Sequence, residues 1–128
     1  MPKRFMLATL CALSLTFISA AAHAQTASYC NDRLVVNSFY SAVDSNGSRA
    51  TSSYFAKVQN ITTEPIRYSL RFAAPKVVEA QNGSIISTLA SYQQATILLG
   101  KQQFNNPSWA GTLSQSDIKK YTQAVCHK

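Results

Sequence analysis

Hydrophobic and polar residues alternate along two neighbouring stretches of this 128-residue chain. In "IRYSLRF", residues 66–72, every second residue is apolar or aromatic, and "YFAKVQ", residues 54–59, repeats the pattern. Strict alternation predicts a strand with one buried face. The sequence between the two stretches, "NITTEP", has the composition of a turn. We therefore predict that 54–59 and 66–72 pair as an antiparallel hairpin.

The predicted hairpin has a register in which partner numbers sum to 126. Tyr54 then lies opposite Phe72 on the inward side, and inward residues meet inward residues throughout, as a shared core face requires. The outward side holds the candidate binding face: Phe55, Lys57, Arg67 and Arg71. In this register Phe55 would lie opposite Arg71 and form a cation–π pair. Three interpretations stay open: a solvated face, a surface for an anionic partner, or a face covered by another element.

Apolar and β-branched content predicts further strands. They lie at 33–40, 76–80, 85–90 and 94–104, and we expect the last two to pair with each other. In the last strand, Ala95, Ile97 and Leu99 point inward. The polar stretch 41–53 reads as a long connection with a turn at Asn46-Gly47. Residues 105–112 read as a loop whose Trp109 folds over an edge of the core.

Near the end of the chain, the spacing of hydrophobic residues changes from the strand period to the helix period. Ile118, Tyr121 and Val125 are spaced i, i+3 and i+7, which predicts a helix at about 116–126 with Ser116 as its N-cap. Cys30 and Cys126 lie near the two ends of the domain that follows the predicted export signal described below. Because export leads to an oxidising compartment, we expect them to form a disulfide that links this helix to the first strand.

The first 24 residues have the features of a cleaved export signal. Lys3 and Arg4 precede an apolar segment, and Ala22-His23-Ala24 gives the A-x-A pattern of a cleavage site. This leaves one domain at 25–128, which we expect to be a periplasmic or secreted monomer without a membrane span. Its ten basic and five acidic residues give a formal charge of +5. That charge favours encounters with anionic surfaces, but the basic residues are scattered and predict no specific nucleic-acid site.

Residue types that carry catalysis are sparse in the predicted domain. Its five carboxylates are dispersed, and His127 is its one imidazole. A hydrolase would need a concave site that gathers two carboxylates, or His127 with a serine. The sequence has no cysteine–histidine metal motif and no glycine-rich phosphate loop. We therefore predict a protein that is not an enzyme and takes no cofactor or metal.

Two segments carry a resemblance to a known class of domain. "VQNITTEPIRYSLRF" and "STLASYQQATILLG" resemble the strand–turn–strand sequences of bacterial exported immunoglobulin-like domains, over residues 56–100. About six strands separated by turn signals predict a mainly β fold, a small antiparallel sandwich with a short C-terminal helix. The resemblance implies that the sandwich is immunoglobulin-like, although such domains do not require the helix. The chain lacks the paired core cysteines and strand tryptophan of antibody domains. Such domains serve many functions, so the resemblance selects none.

Three functional hypotheses follow. The first is an exported, non-catalytic interaction module that meets an unknown protein or an anionic cell-envelope polymer through the candidate binding face. The second is a periplasmic chaperone or assembly factor that adds a strand to an open sheet edge. The third is a small secreted enzyme inhibitor that inserts a loop, with 41–53 and 105–112 as candidates.

Overall fold

The computed structural model describes residues 25–105 and 112–128. The predicted signal at 1–24 and Trp109 lie outside the described residues. Strands and one helix follow each other in this order: β1 (Ala27–Tyr29), β2 (Leu34–Asn46), β3 (Arg49–Asn60), β4 (Ile66–Phe72), β5 (Ser87–Leu89), β6 (Gln94–Phe104), α1 (Gln115–Tyr121) and β7 (Thr122–His127).

The strands form two antiparallel sheets that share one core. The first sheet has the order β1-β2-β3-β6 and the second has the order β5-β4-β7. Alternate side chains of both sheets enter a single buried cluster, which also takes Ile118 from the helix. The fold is thus a small antiparallel β-sandwich with one short helix, as predicted.

The predicted pairing of 54–59 with 66–72 is wrong, because these segments lie in different sheets. β3 pairs with β2 and β6, whereas β4 pairs with β5 and β7. Tyr54 and Phe72 do meet, with ring centroids 5.8 Å apart, but each reaches the core from its own sheet. An alternating pattern identifies the buried side of a strand, and two sheets that face each other satisfy it as well as two paired strands do.

The predicted pair of 85–90 with 94–104 fails for the same reason. β5 joins the second sheet and β6 joins the first. The inward residues of β6 are as expected: Leu99 is buried, and Ala95 and Ile97 pack against the core. The stretch 41–53 is mostly strand, since β2 and β3 extend to a tight turn at Gly47, whose φ is +64°.

The irregular segment 73–86 closes one side of the sandwich. Val78 exchanges two backbone hydrogen bonds with Lys101 of β6, at 2.7 and 2.9 Å. Gln81 donates to Leu99 and accepts from Phe72 of β4, at 2.8 Å each, and so links the two sheets. The predicted strand at 76–80 is therefore reduced to one bridge, at Val78.

The helix is shorter than predicted. Its N-cap is Ser114, whose hydroxyl accepts a bond from the Asp117 amide, and it ends at Tyr121. The prediction that it continues to 126 is wrong, because residues 122–127 form β7 beside β4. β-Branched Thr122 and Val125 suit a strand, and the edge of β4 supplies hydrogen bonds that a longer helix would leave unmade.

The predicted disulfide joins Cys30 to Cys126, with Cα atoms 5.8 Å apart. That distance lies in the ordinary range for disulfides. Cys30 follows β1 and Cys126 lies in β7. The bond therefore links the two sheets rather than a helix to a strand, on the side of the sandwich opposite segment 73–86.

Candidate functional site

The four residues of the predicted binding face do not lie together. Phe55 and Lys57 alternate with the buried residues of β3, so they lie on the outer face of the first sheet. Arg67 and Arg71 alternate with the buried residues of β4, so they lie on the outer face of the second sheet. The core separates the two pairs, and no contact between Phe55 and Arg71 can form.

On the first sheet, Phe55 finds an aromatic partner in the neighbouring strand. Its ring stacks on Tyr40 with centroids 5.1 Å apart and planes 20° apart. The centroid distance is close to the spacing between neighbouring strands, and the small angle between the ring planes means that the two rings face each other. The Lys57 ammonium lies 5.9 Å from the Tyr40 centroid. Aromatic pairs of this kind stabilise a sheet by about 0.5–1.5 kcal/mol beyond their buried area. Phe55 thus has a structural partner on its own sheet.

On the second sheet, the outward residues of β4 and β7 form a surface that we call the basic face. It consists of Arg67, Ser69, Arg71, Gln123, Val125 and His127. The two arginines are exposed, and four residues of strand place their Cα atoms about 13 Å apart. Arg67 donates from Nη1 to the backbone oxygen of Lys128 at 2.7 Å.

No carboxylate side chain lies on the strands that form this sheet. β4, β5 and β7 contain neither aspartate nor glutamate. Within 25–105 and 112–128, the one ion pair joins Lys101 to Glu79 at 3.3 Å, outside these strands. In the described ranges neither Arg67 nor Arg71 forms an ion pair with an acidic side chain, and the positive charges of these two exposed side chains favour anions at this surface.

Ser69 and His127 form a hydrogen-bonded pair at the centre of the basic face. The Ser69 hydroxyl lies 3.0 Å from His127 Nε2, which is the distance of a nucleophile and its base. Ser69 is only 2% exposed, however, and no carboxylate bonds His127 among the described residues. A substrate could not reach the hydroxyl without displacing its neighbours. The sequence did not predict this pair, because residues 116–126, which precede His127, were predicted to form a helix rather than a strand beside β4.

Two clefts lie elsewhere on the molecule. One, of about 420 Å³, lies at the tip of the β2–β3 hairpin and has Asp44 as its one carboxylate. The other, of about 690 Å³, lies beside β1 and is lined by Lys119 and neutral residues. Neither brings together two carboxylates, or His127 with a serine. Across the described ranges, no group of three or more histidine, cysteine or acidic residues could hold a metal ion.

The edges of the sheets offer little room for an added strand. β1 and β5 have three residues each, and segment 73–86 bonds to β6. At the edge of β7, Thr122 accepts a bond from the Tyr29 hydroxyl at 3.3 Å, and Cys126 is tied to Cys30. β2 pairs with β1 over residues 34–36 only, so its outer edge has no strand partner after Val36 in the described chain, although α1 contacts this strand. The described edges are therefore short or partly covered.

Comparisons with known proteins add no relative. No protein-family model, no curated protein and no solved structure matches the chain. In the part of the chain that the structure covers, no helix is long and apolar enough to span a bilayer. The resemblance to immunoglobulin-like domains stays a prediction.

Proposed function

We propose that this protein is an exported, non-catalytic binding module that meets an anionic partner through the basic face. One observation carries the proposal: Arg67 and Arg71 are exposed on the same side of a sheet whose strands contain no carboxylate. A guanidinium group presents several donors in a planar fork, which suits carboxylate, phosphate and sulfate groups. Two such groups about 13 Å apart can engage successive charges of a polymer or an acidic surface.

The other hypotheses have weaker support. Strand addition needs an open edge of several residues, and the described edges are short or partly covered. The inhibitor hypothesis depended on two loops. The first, 41–53, is a paired hairpin, and most of the second, 105–112, lies outside the described residues. We therefore place both behind the anion-binding module.

The test compares charge reversal on the two outer faces. The first variant carries Arg67→Glu and Arg71→Glu. The matched control carries Arg49→Glu and Lys57→Glu, which changes the net charge equally on strand β3. Each protein is purified from the exported fraction after expression of the full chain. Its mass tells whether cleavage follows Ala24, and its thermal unfolding tells whether the fold is unchanged.

Binding is measured by calorimetry against dextran sulfate, a soluble polyanion, at several salt concentrations. We expect the wild type and the control to bind, and the basic-face variant to lose affinity and salt dependence, because ion pairs are screened by salt. Equal weakening of both variants would show an effect of net charge alone and would contradict the proposal. Retention of a protein at full length in the cytoplasm would contradict the export.

A further inference from the structure

Exposed aliphatic side chains accompany the arginines of the second sheet. Val125, at the centre of the basic face, is 54% exposed. Ile85 and Ile86 precede β5 and are 63% and 46% exposed. These three are among the seven large hydrophobic residues found exposed in the described chain. Val125 belongs to β7, whereas Ile85 and Ile86 lie at the end of segment 73–86, where it leads into β5. The second sheet and the segment beside it thus combine cations with apolar groups.

The strand register places the aliphatic groups on either side of β4. Val125 lies opposite Ser69 on the β7 side. On the β5 side, Gly83 donates to the Leu70 carbonyl at 2.9 Å and Ser87 lies opposite Tyr68. Residues 83–86 are therefore extra to the strand register and form a bulge beside the middle of β4. The bulge and Val125 are separated by two strand spacings, about 10 Å, while the arginines lie along β4 in the perpendicular direction.

We propose that this surface docks on a lipid bilayer that contains anionic phospholipid. The inference rests on the proposed function and names its partner. The guanidinium groups of Arg67 and Arg71 would bond lipid phosphates, and Val125 with Ile85 and Ile86 would enter the boundary between headgroups and acyl chains. Basic residues near an anionic membrane and apolar groups inserted at its interface are the two sources of peripheral membrane affinity.

The shape of the surface favours a bilayer over an acidic protein. Protein interfaces concentrate their affinity in a few central anchors that fill pockets of the partner. Here the aliphatic groups are separated by β4, whose Ser69 lies opposite Val125 and is bonded to His127. Lipids can rearrange around scattered groups on a sheet face, whereas a folded partner would need matching pockets at each position. Charge complementarity is supplied by the phosphates.

Vesicle binding tests the inference. The exported protein is sedimented with vesicles of phosphatidylglycerol and phosphatidylcholine, and with vesicles of phosphatidylcholine alone. The aliphatic variant keeps the charge and carries Ile85→Ser, Ile86→Ser and Val125→Ser. Its matched control makes the same change at three exposed aliphatic residues elsewhere: Val43→Ser, Ile61→Ser and Val78→Ser. The basic-face variant Arg67→Glu, Arg71→Glu completes the set, and thermal unfolding checks every variant.

We expect binding to the anionic vesicles only. The affinity of the basic-face variant for these vesicles should fall more than about 25-fold, because each basic residue near the membrane surface contributes about fivefold to partitioning. The affinity of the aliphatic variant for vesicles should fall at least about fivefold, whereas its affinity for dextran sulfate should equal that of the wild type. Its control should bind both normally.

Three results would overturn the inference. Binding to dextran sulfate without binding to vesicles would remove the bilayer and leave the proposed function standing. An equal loss in the aliphatic variant and its control would show that the position of the aliphatic groups is irrelevant. Absence of binding to both probes would overturn the proposed function as well.

Discussion

Asn60, at the end of β3, is the buried polar residue on which the join between the two sheets depends. Its side chain is fully buried. Nδ2 donates to the carbonyls of Glu64, Leu89 and Ala90 at 2.7, 3.1 and 3.1 Å, and Oδ1 accepts from the Thr62 amide and hydroxyl. One amide thus ties β3 to the β3–β4 connection and to β5. An Asn60→Asp substitution keeps the shape and exchanges the donor for an oxygen that faces three carbonyls.

The magnitude follows from the proton that the new carboxyl must take up. A carboxylate at this position would be buried and would face only acceptors on one side, so the folded state favours the protonated form and raises its pKa. Keeping an aspartate protonated at pH 7, about three units above its ordinary pKa of about 3.9, costs about 4 kcal/mol. The protonated group has one donor hydrogen where the amide has two, a loss of about 1 kcal/mol. The ceiling at pH 7 is therefore about 5 kcal/mol.

The sign of the pH dependence is fixed by the same argument. A group whose pKa is raised by folding makes its full contribution to the free energy of unfolding below the unfolded pKa. That contribution is lost as pH rises toward the folded pKa. The variant should therefore lie within about 1 kcal/mol of the wild type near pH 4, where the missing donor hydrogen is the remaining difference, and lose about 1.4 kcal/mol per pH unit above it. Urea denaturation of both proteins between pH 4.5 and 8, followed by circular dichroism, measures this difference.

A matched control is available at Asn82, whose Oδ1 also accepts from the amide and hydroxyl two residues on, those of Ser84. Asn82 is exposed, so Asn82→Asp should change the unfolding free energy by less than about 0.5 kcal/mol. A pH-independent difference for Asn60→Asp, or a loss at pH 7 no larger than that of the control, would refute the role assigned to the buried amide.

Two further predictions concern stability. Replacing both Cys30 and Cys126 by serine should lower the unfolding free energy by about 4–5 kcal/mol in the chain-entropy account of a loop with a separation of 96 residues; a loss below about 1 kcal/mol in urea denaturation would contradict it. Burial raises the pKa of Tyr68, so its neutral form is favoured in the folded state, and stability should be constant below about pH 10 and fall above it. Tyr68→Phe should reduce that alkaline loss in circular-dichroism titrations, whereas Tyr92→Phe, at an exposed residue, should not.

Local pattern was sufficient to predict much of the fold. The stretch 66–72 coincides with β4, and the pattern gives its buried side, although Ser69 on the other side is buried as well. The buried side of β3 also agrees with the pattern. The disulfide followed from two cysteines and an expected oxidising compartment. Each of these predictions depends either on residues that are near one another in the sequence or on the one possible pairing of the two cysteines in the predicted domain.

Partner choice between strands was not predictable in the same way. Tyr54 faces Phe72 in the predicted hairpin and in the structure, because both arrangements bury the same side chains. Only the order of strands in the sheets separates them, and that order depends on long-range contacts such as β7 with β4. The residue spacing in 116–126 favours a helix, so the sequence predicted neither β7 nor the Ser69–His127 pair.

This distinction decides which residues can act together in binding. A strand's outward residues share a surface only with the outward residues of strands in the same sheet, so a wrong sheet assignment moves a side chain to the opposite side of the molecule. In the structure Phe55 contacts Tyr40 rather than Arg71, and the outward neighbours of Arg71 on β7 are Gln123, directly opposite, and Val125. A charge reversal that combined Lys57 with both arginines would alter both outer faces at once and could not tell them apart. Separate reversals on β3 and β4 can, because the core isolates the two surfaces from each other.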